Sequence, residues 1–198
     1  MLRTLIGVDE AGRGPLAGPV AIGVVAVPSS FNIRKIFPRL KDSKEVSPQR
    51  REEFYKIICE RAKAGELQFC VRYSAASTID RLGLTRAVRY ATWRGVRALA
   101  PETSGVKVLL DGLLYAPEEY EQETIIGGDE QEPLIMLASI VAKVRRDRLM
   151  RRLAKQFPHY LFEEHKGYGT KAHSRAIKKF GLSDIHRRSF CKNFLSVI

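Results

Sequence analysis

The stretch that decides the fold lies at the start of the chain, where residues 5–20 read LIGVDEAGRGPLAGPV. Residues 5–8 are an apolar run that predicts a short strand, and this run ends abruptly at Asp9-Glu10. Residues 11–19 contain too many glycines and prolines to form a helix. Residues 20–27, which are rich in valine, isoleucine and alanine, predict a buried strand that pairs with the first. Two adjacent carboxylates are therefore expected at the end of a strand.

The rest of the chain alternates between apolar runs and helical patterns. Further strands are expected at residues 67–73, 106–110 and, from a weaker pattern, 124–126. Four helices are expected, namely from Ser47-Pro48 to near Gly65, from a capping box at Ser77 to about Leu99, from Pro133 to about Phe157 and from Lys171 to Phe180. This order of elements predicts an α/β domain in which strands end at acidic residues.

The chain is strongly basic, with 34 Lys and Arg against 22 Asp and Glu in 198 residues, a net charge of +12. Such an excess favours a polyanionic partner, because each neutralised phosphate releases counterions. Charge by itself leaves a nucleic-acid partner and a merely basic protein about equally open.

The three cysteines, Cys59, Cys70 and Cys191, are widely spaced, which argues against a disulfide framework or a thiolate metal site. The first residues reach charged and glycine positions too early for the apolar core of a signal peptide. No apolar run approaches the roughly 20 residues that span a bilayer. We therefore expect a cytoplasmic protein that does not bind membranes.

Four carboxylates stand where ligands are usually held in α/β proteins. Asp9 and Glu10 follow one strand, Asp111 follows another, and Asp129 precedes the longest helix. Carboxylates that meet without cations repel one another, and bound divalent ions such as Mg²⁺ remove that repulsion. Two such ions can activate water and stabilise the leaving oxygen of a phosphodiester. A single aspartate that merely ends a strand remains the alternative, so the pattern by itself indicates a metal-dependent phosphate enzyme only in outline.

The glycine-rich loop needs a separate interpretation. Residues 12–17 match the dinucleotide-binding pattern G-x-G-x-x-A. We reject that function, because Asp9-Glu10 would face the pyrophosphate and Gly18-Pro19 would stop the helix that should hold it. The glycines instead allow the backbone to come close to a sugar hydroxyl, with Arg13 as a phosphate donor. A plain tight turn is the remaining alternative.

Several blocks in this order resemble the ribonuclease HII family, and together they cover nearly the whole chain. They are residues 7–20, 40–44, 79–80, 110–112, 128–129, 138–144 with 146–147, 165–170 with 173, and 186–190. The resemblance implies an α/β ribonuclease H-like fold, with a mixed central sheet flanked by helices. It implies one catalytic domain over residues 1–198, in which residues 158–198 form a helical appendage that completes the substrate site. The related ribonuclease HIII family has Gly-Lys-Gly where this chain has Gly12-Arg13-Gly14, and usually an extra N-terminal domain.

The resemblance also implies roles for individual residues. It assigns the catalytic and metal-binding roles to Asp9, Glu10, Asp111 and Asp129, although Glu130 and Glu132 lie close to the last of these. It implies that substrate is bound by Gly12, Arg13 and Gly14 at the ribonucleotide, by Tyr168 at the sugar of the next deoxynucleotide, and by Lys44, Lys143 and Arg146 as phosphate contacts or supports of the acidic cluster.

The implied activity is an endonuclease that acts with two Mg²⁺ or Mn²⁺ ions. The expected partners are RNA–DNA hybrids and DNA duplexes that contain ribonucleotides, which are cut 5′ of the ribonucleotide to leave 3′-hydroxyl and 5′-phosphate ends. We expect the protein to be a monomer. The alternatives are a non-catalytic, basic nucleic-acid-binding protein of the same fold and another nuclease of that fold.

Three further patterns have less specific interpretations. The four histidines, all in the C-terminal third, are expected to structure loops or to face phosphates. Tyr90, Trp93 and Val96 lie at helical spacing and are expected in the core. The arginines of residues 145–152 form either a solvated face or part of a duplex path.

Overall fold

The computed structural model describes residues 3–38, 40 and 47–195, which form one five-stranded mixed sheet with helices on both faces. The strand order is β3-β2-β1-β4-β5. Strand β1 pairs antiparallel with β2 and parallel with β4, β2 pairs antiparallel with β3, and β4 pairs parallel with β5. The strands are β1 (Thr4–Ala11), β2 (Val20–Pro28), β3 (Gln68–Ser74), β4 (Val106–Asp111) and β5 (Glu121–Ile125). This confirms the expected α/β class.

The sheet separates the core into two layers, and the helices cover both. They are α1 (Ile33–Ile36), α2 (Pro48–Lys63), α3 (Ala76–Leu82), α4 (Leu84–Leu99), α5 (Gly128–Gln131), α6 (Pro133–Gln156), α7 (Phe162–His165), α8 (Lys171–Phe180) and α9 (Lys192–Leu195), with short 3-10 helices at Pro158–Tyr160 and Arg188–Phe190. Apolar residues of α3 and α4 pack with Ile6, Val8 and Val108 on one face of the sheet. Residues of α2 and α6 pack with Val25 and Val27 on the other face.

Two strand glycines let helix α6 come unusually close to the sheet. A methyl group at Gly23 would lie 2.2 Å from the backbone oxygen of Ala138, and one at Gly7 would lie 2.5 Å from that of Leu134. No side chain fits in that space, so the helix backbone rests directly on β1 and β2. This approach sets the distance of the α6 side chains from the end of β1.

The C-terminal segment packs on the glycine-rich loop through a third apolar cluster. Phe162 and Ile177 meet Ala17 and Met150 in it. The loop and the segment also share backbone hydrogen bonds, because the N–H of Leu16 donates to Gly167 at 2.8 Å and the N–H of Arg187 donates to Leu16 at 2.8 Å.

Most elements agree with the expectations, but one helix does not. The pattern from Ser77 to Leu99 forms two helices, α3 and α4, because Gly83 between them adopts φ +78°. Ser77 does not cap a helix; it lies inside α3, whose preceding residue makes no side-chain capping bond. The carboxylate of Asp80, the fourth residue of the expected capping box, accepts hydrogen bonds from the backbone N–H groups of Arg188 and Ser189, both at 2.9 Å.

One core expectation is also wrong. Val96 is buried, but Tyr90 is 50% exposed and Trp93 is only partly buried. Among the described residues, no helix is long and apolar enough to cross a membrane.

Gly23→Ala tests the close approach of α6. We expect the free energy of unfolding to fall by about 2–3 kcal/mol, because the added methyl overpacks the helix–sheet contact. Urea denaturation measures this. Gly65→Ala is the control, since its φ is +74° but its methyl meets nothing within 4 Å, so only a backbone penalty of about 1–2 kcal/mol applies. A loss at Gly23 smaller than at Gly65 would contradict the interpretation.

Candidate metal centre and substrate loop

Three carboxylates converge at one edge of the sheet. Asp9 and Glu10 lie near the end of β1, and Asp111 ends the parallel neighbour β4. The register pairs Val8 with Leu110, so the acids that follow them come together. One ligand oxygen from each of Asp9, Glu10 and Asp111 can be chosen so that all lie within 4.8 Å of one another.

Asp9 is the most deeply buried of the three, at 4% exposure. Burial raises its pKa from 3.8 to about 7, against the lowering effect of a hydrogen bond from Ser139. The neighbouring charge of Glu10 raises the same pKa, and Lys143 lowers it. Ser139 and Lys143 both belong to α6, so the close helix approach is what supplies them to the carboxylate.

One oxygen of the Glu10 carboxylate accepts a hydrogen bond, and the other has no donor beside it among the described residues. Its Oε1 accepts a hydrogen bond from Arg13 Nη1 at 3.1 Å, whereas its buried Oε2 has no hydrogen-bond partner among the described residues. Burial raises the pKa of Glu10, while Arg13 lowers it. A buried carboxylate oxygen without a donor is costly unless a cation binds it.

Asp111 and Asp129 are linked through the backbone. The N–H of Asp129 donates to Asp111 Oδ1 at 3.3 Å. Burial raises the pKa of Asp111, and the backbone hydrogen bond from Asp129 lowers it. The Asp129 carboxylate lies beside Lys143, with Oδ2 3.6 Å from Nζ. Asp129 therefore borders the cluster of three on the side of α6.

The donor set fits a divalent cation. Three carboxylates with ligand oxygens within 4.8 Å of one another offer hard oxygen ligands, and Glu10 also has a buried oxygen without a hydrogen-bond partner among the described residues. Burial raises the pKa of all three acids, so a cation that binds there would compensate the cost of burying their charges.

The glycine-rich loop is held in place by a buried arginine that the sequence reasoning did not identify. Arg187 is 0% exposed, and its guanidinium donates to the backbone oxygens of Gly12, Arg13 and Gly18 at 2.7, 2.7 and 2.9 Å. It lies in one of the blocks that resemble ribonuclease HII, and this position is the one sequence signal that could have marked it.

Arg146, which was expected to contact phosphate or to support the acidic cluster, is enclosed beneath the glycine-rich loop. It is 2% exposed and donates to the backbone oxygens of Pro19 at 2.9 Å and Lys166 at 3.0 Å. A methyl group at Gly12 would lie 2.0 Å from its Nε, so the glycine leaves room for the guanidinium. Arg146 is thus a support of the loop, because its side chain is enclosed by protein.

The structure places Tyr168 next to the glycine-rich loop. A methyl group at Gly14 would lie 4.0 Å from the Tyr168 ring, which is 49% exposed. Arg13, Gly14 and Tyr168 therefore form one surface, which Arg13 connects to Glu10, whereas Gly12 is buried against Arg146. Lys143 adjoins the acids, and Lys44 lies outside the described residues.

A chain of histidine hydrogen bonds fixes the segment that carries Tyr168. The Ser183 N–H donates to His186 Nδ1 at 2.9 Å, which leaves the proton of His186 on Nε2. This Nε2 lies 3.0 Å from His173 Nε2, and His173 Nδ1 lies 2.9 Å from the Tyr168 oxygen. In these neutral tautomers the Nε2–H of His186 donates to His173 Nε2, and the Nδ1–H of His173 donates to the Tyr168 oxygen. Burial lowers the pKa of both histidines to about 4, so loop structuring is confirmed for this pair.

Comparisons with known proteins agree along the whole chain. A family model described as ribonuclease HII matches residues 6–193. The ribonuclease HII of Coxiella burnetii (strain Dugway 5J108-111) is 44% identical over 186 residues, which cover 94% of this chain and 87% of that protein. The ribonuclease HII of Bacillus licheniformis is 43% identical over 188 residues, covering 94% of this chain and 69% of the relative.

Solved structures show the same architecture. Ribonuclease H2 from Pyrococcus horikoshii OT3 superimposes with a TM-score of 0.77 at 24% identity, covering 98% of this chain and 97% of that one. Ribonuclease HII of Archaeoglobus fulgidus, solved in complex with PCNA, gives 0.72 at 25% identity, covering 93% of both chains. Bst-RNase HIII, solved with Mn²⁺, gives 0.72 at 17% identity, with 98% and 70% covered, a likeness of fold alone.

The mixed sheet with its acidic edge is that of a ribonuclease H, an enzyme that acts on RNA–DNA hybrids and depends on divalent metal ions. Within that class, the family match and the two bacterial relatives show that the chain belongs to the ribonuclease HII family.

The substitution Asp9→Asn tests how far the buried Asp9 carboxylate lowers the free energy of unfolding. The folded pKa of about 7 exceeds the ordinary 3.8, so the folded state retains a proton that the unfolded chain has lost. The stability that this provides is present at low pH and is lost as the pH rises through 7. In EDTA at pH 8 we expect Asp9→Asn to raise the free energy of unfolding by on the order of 2 kcal/mol.

Urea denaturation at pH 5 and pH 8 measures this effect. The exposed Asp184→Asn is the control, with a change within about 0.5 kcal/mol. A less stable Asp9→Asn protein at pH 8 would show that the carboxylate is net stabilising without metal.

The histidine pair predicts a loss of stability in mild acid. Their folded pKa values of about 4 lie below the ordinary 6.5, so the unfolded chain binds more protons between these limits. The contribution of each histidine is complete above pH 6.5 and declines by on the order of 3 kcal/mol as the pH falls to 4. The pH dependence of urea unfolding should be shallower in His186→Asn, whereas the exposed His159→Gln should keep the wild-type slope. Equal slopes in all three proteins would refute it.

Proposed function

We propose that this ribonuclease H hydrolyses the RNA strand of RNA–DNA hybrids and cuts 5′ of single ribonucleotides embedded in duplex DNA. The products are a 3′-hydroxyl and a 5′-phosphate. The observation that carries the proposal is the direct connection between the acidic cluster and the loop of Gly12–Gly14, made by the ion pair of Arg13 and Glu10 at 3.1 Å.

The acidic cluster is the proposed site of Mg²⁺ or Mn²⁺. Asp9, Glu10 and Asp111 would hold the ions, and Asp129 adjoins them through Asp111. Two ions supply an activated water and stabilisation of the leaving oxygen in phosphodiester hydrolysis. Ser139 and Lys143 orient the Asp9 carboxylate and offset part of the negative charge before metal binds.

The loop and Tyr168 are the proposed readers of the ribonucleotide. The backbone around Gly14 can approach a 2′-hydroxyl closely, because this exposed glycine has no side chain that would intervene, whereas the missing side chain of Gly12 makes room for Arg146. Tyr168 presents a half-exposed ring beside Gly14, where the sugar of the following deoxynucleotide can pack. Arg187 and Arg146 hold the carbonyls of this loop inward and so keep the surface in one conformation.

Arg13 is the proposed link between recognition and cleavage. Its side chain is 39% exposed while its guanidinium pairs with Glu10. A phosphate on the substrate strand can share this guanidinium, since arginine offers several donors in one plane. Substrate binding would thereby leave Glu10 available to a metal ion.

The decisive experiment uses an end-labelled duplex with a single ribonucleotide, beside an all-DNA duplex and an RNA–DNA hybrid. We expect cuts in the first and last substrates with Mg²⁺ or Mn²⁺, none in the all-DNA duplex, and none in EDTA. Because a water and not the 2′-hydroxyl attacks, a polymerase should extend the 3′ end without prior phosphatase treatment.

Asp111→Asn assigns the chemistry to the cluster. We expect at least about a hundredfold loss of cleavage with duplex binding retained, because the variant removes a metal ligand at the surface of the sheet edge. Asp184→Asn is the matched control and should cleave normally. Near-full activity of Asp111→Asn would refute the site, and binding by wild type without any cleavage would favour the non-catalytic alternative.

A further inference from the structure

A basic cleft lies on the face of the sheet that α3 and α4 cover. It is a cleft of about 1040 Å³ between the edge strand β3 and these two helices. We call it the arginine cleft, and its chemically important lining residues are Arg72, Arg81, Arg94, Arg97, Tyr90 and Trp93. Four arginines and no acidic residue line it among the described residues.

The aromatic residues of the cleft form an open stacking surface. Tyr90 and Trp93 lie edge to face with ring centroids 6.0 Å apart, and Tyr90 is 50% exposed. The guanidinium of Arg97 lies 5.8 Å from the Trp93 ring. Arginines interleaved with exposed aromatic rings are the usual components of a site for unpaired bases.

Two buried donors in the cleft have no acceptor. Within the described part of the chain, neither Arg72 Nε nor Trp93 Nε1 has a hydrogen-bond partner. Of the other arginines, Arg97 is neutralised by Glu119 at 2.7 Å, while Arg94 donates to the Tyr73 backbone oxygen at 3.1 Å. Because those two buried donors are enclosed, the charge that is open to a ligand belongs to Arg81 and Arg94, and a negatively charged ligand rich in acceptors would satisfy it.

The arginine cleft lies two strands away from Glu10 in the sheet. Arg72 of β3 pairs with Ile22 of β2, which pairs with Glu10 of β1. Two strand spacings separate Arg72 from Glu10, which is roughly 10 Å. The buried Ile22 and helix α4 lie between them, so the arginine cleft and the acidic cluster are separate sites.

We propose that the arginine cleft binds a single-stranded segment of nucleic acid, with a base stacked on Tyr90 and its phosphates held by Arg81 and Arg94. An unpaired strand fits better than a duplex, because the faces of paired bases are covered by their neighbours and cannot stack on the ring. The proposal goes beyond the cleavage activity and does not depend on it.

Trp93 is the one tryptophan of the chain, so its fluorescence reports directly on the cleft. The experiment titrates the full-length protein in EDTA with a single-stranded oligothymidylate of about 12 nucleotides, within the usual site size. We expect saturable quenching of Trp93 emission, with matching affinity from the anisotropy of a labelled oligonucleotide. Absence of quenching while the oligonucleotide binds would place the single strand elsewhere and overturn the proposal.

Variants separate the charges from the stacking. Arg81→Gln/Arg94→Gln removes two exposed cations and should weaken binding about tenfold. It should also make the slope of log affinity against log salt shallower by about 1.4, since each phosphate contact on a single strand contributes about 0.7. Tyr90→Leu should weaken binding about fivefold or more without changing this slope, because stacking releases no counterions.

The matched control is Lys56→Gln/Lys63→Gln, which removes the same charge from exposed positions of α2 on the opposite face of the sheet. Its affinity should stay within about twofold, given salt screening over such distances. An equal loss in the control would show a general charge effect. Equal quenching by a blunt duplex, or by polyglutamate, would assign the cleft to the duplex path or to an acidic protein and overturn the single-strand proposal.

Cleavage provides an independent measurement. The Arg81→Gln/Arg94→Gln protein should cut a blunt hybrid at the wild-type rate, because neither residue touches the acidic cluster or the glycine-rich loop. Reduced cleavage of the blunt substrate would show that these arginines hold the duplex. Failure of the proposed ribonuclease activity would not alter the oligonucleotide binding, so the two proposals can fail separately.

Discussion

The contact of helix α6 with strands β1 and β2 is the constraint on which the rest of the site depends. Gly7 and Gly23 leave no side chain between the helix backbone and the sheet. Ser139 and Lys143 therefore reach the Asp9 carboxylate, which is buried in the same contact. A wider separation would admit water to Asp9 and remove its hydrogen-bond donor, so the packing of the core and the chemistry of the acids have one origin.

The acidic cluster is a place where stability is given up for function. Asp9, Glu10 and Asp111 all have raised pKa values, and burial is the first cause in each. The fold could compensate them with more cations, but Arg13 and Lys143 compensate only in part. This leaves carboxylate oxygens for metal ions, in keeping with the divalent-metal dependence of the family.

The loop that faces the cluster is stabilised from the C-terminal segment. Arg187 and Arg146 are buried, and their guanidinium groups donate hydrogen bonds to backbone oxygens. The cost of burying these charges is offset by several hydrogen bonds each, which only one loop conformation provides. The His173–His186 pair fixes the neighbouring segment through its tautomers. Two stretches more than a hundred residues apart thus form one rigid surface.

The sequence predicted the α/β class, the main strands, helix α6 and the position of Asp9, Glu10 and Asp111 at strand ends, because hydrophobic periodicity is a local property that fixes where strands end. It could not place Tyr90 at the surface, divide residues 76–99 at Gly83, or show that Arg146 and Arg187 are buried. Those outcomes depend on which segments pack together. The sequence does not distinguish an arginine that binds a phosphate from one that donates to a backbone carbonyl. Tertiary packing decided them, because burial and hydrogen-bond partners are set by neighbours distant in the chain.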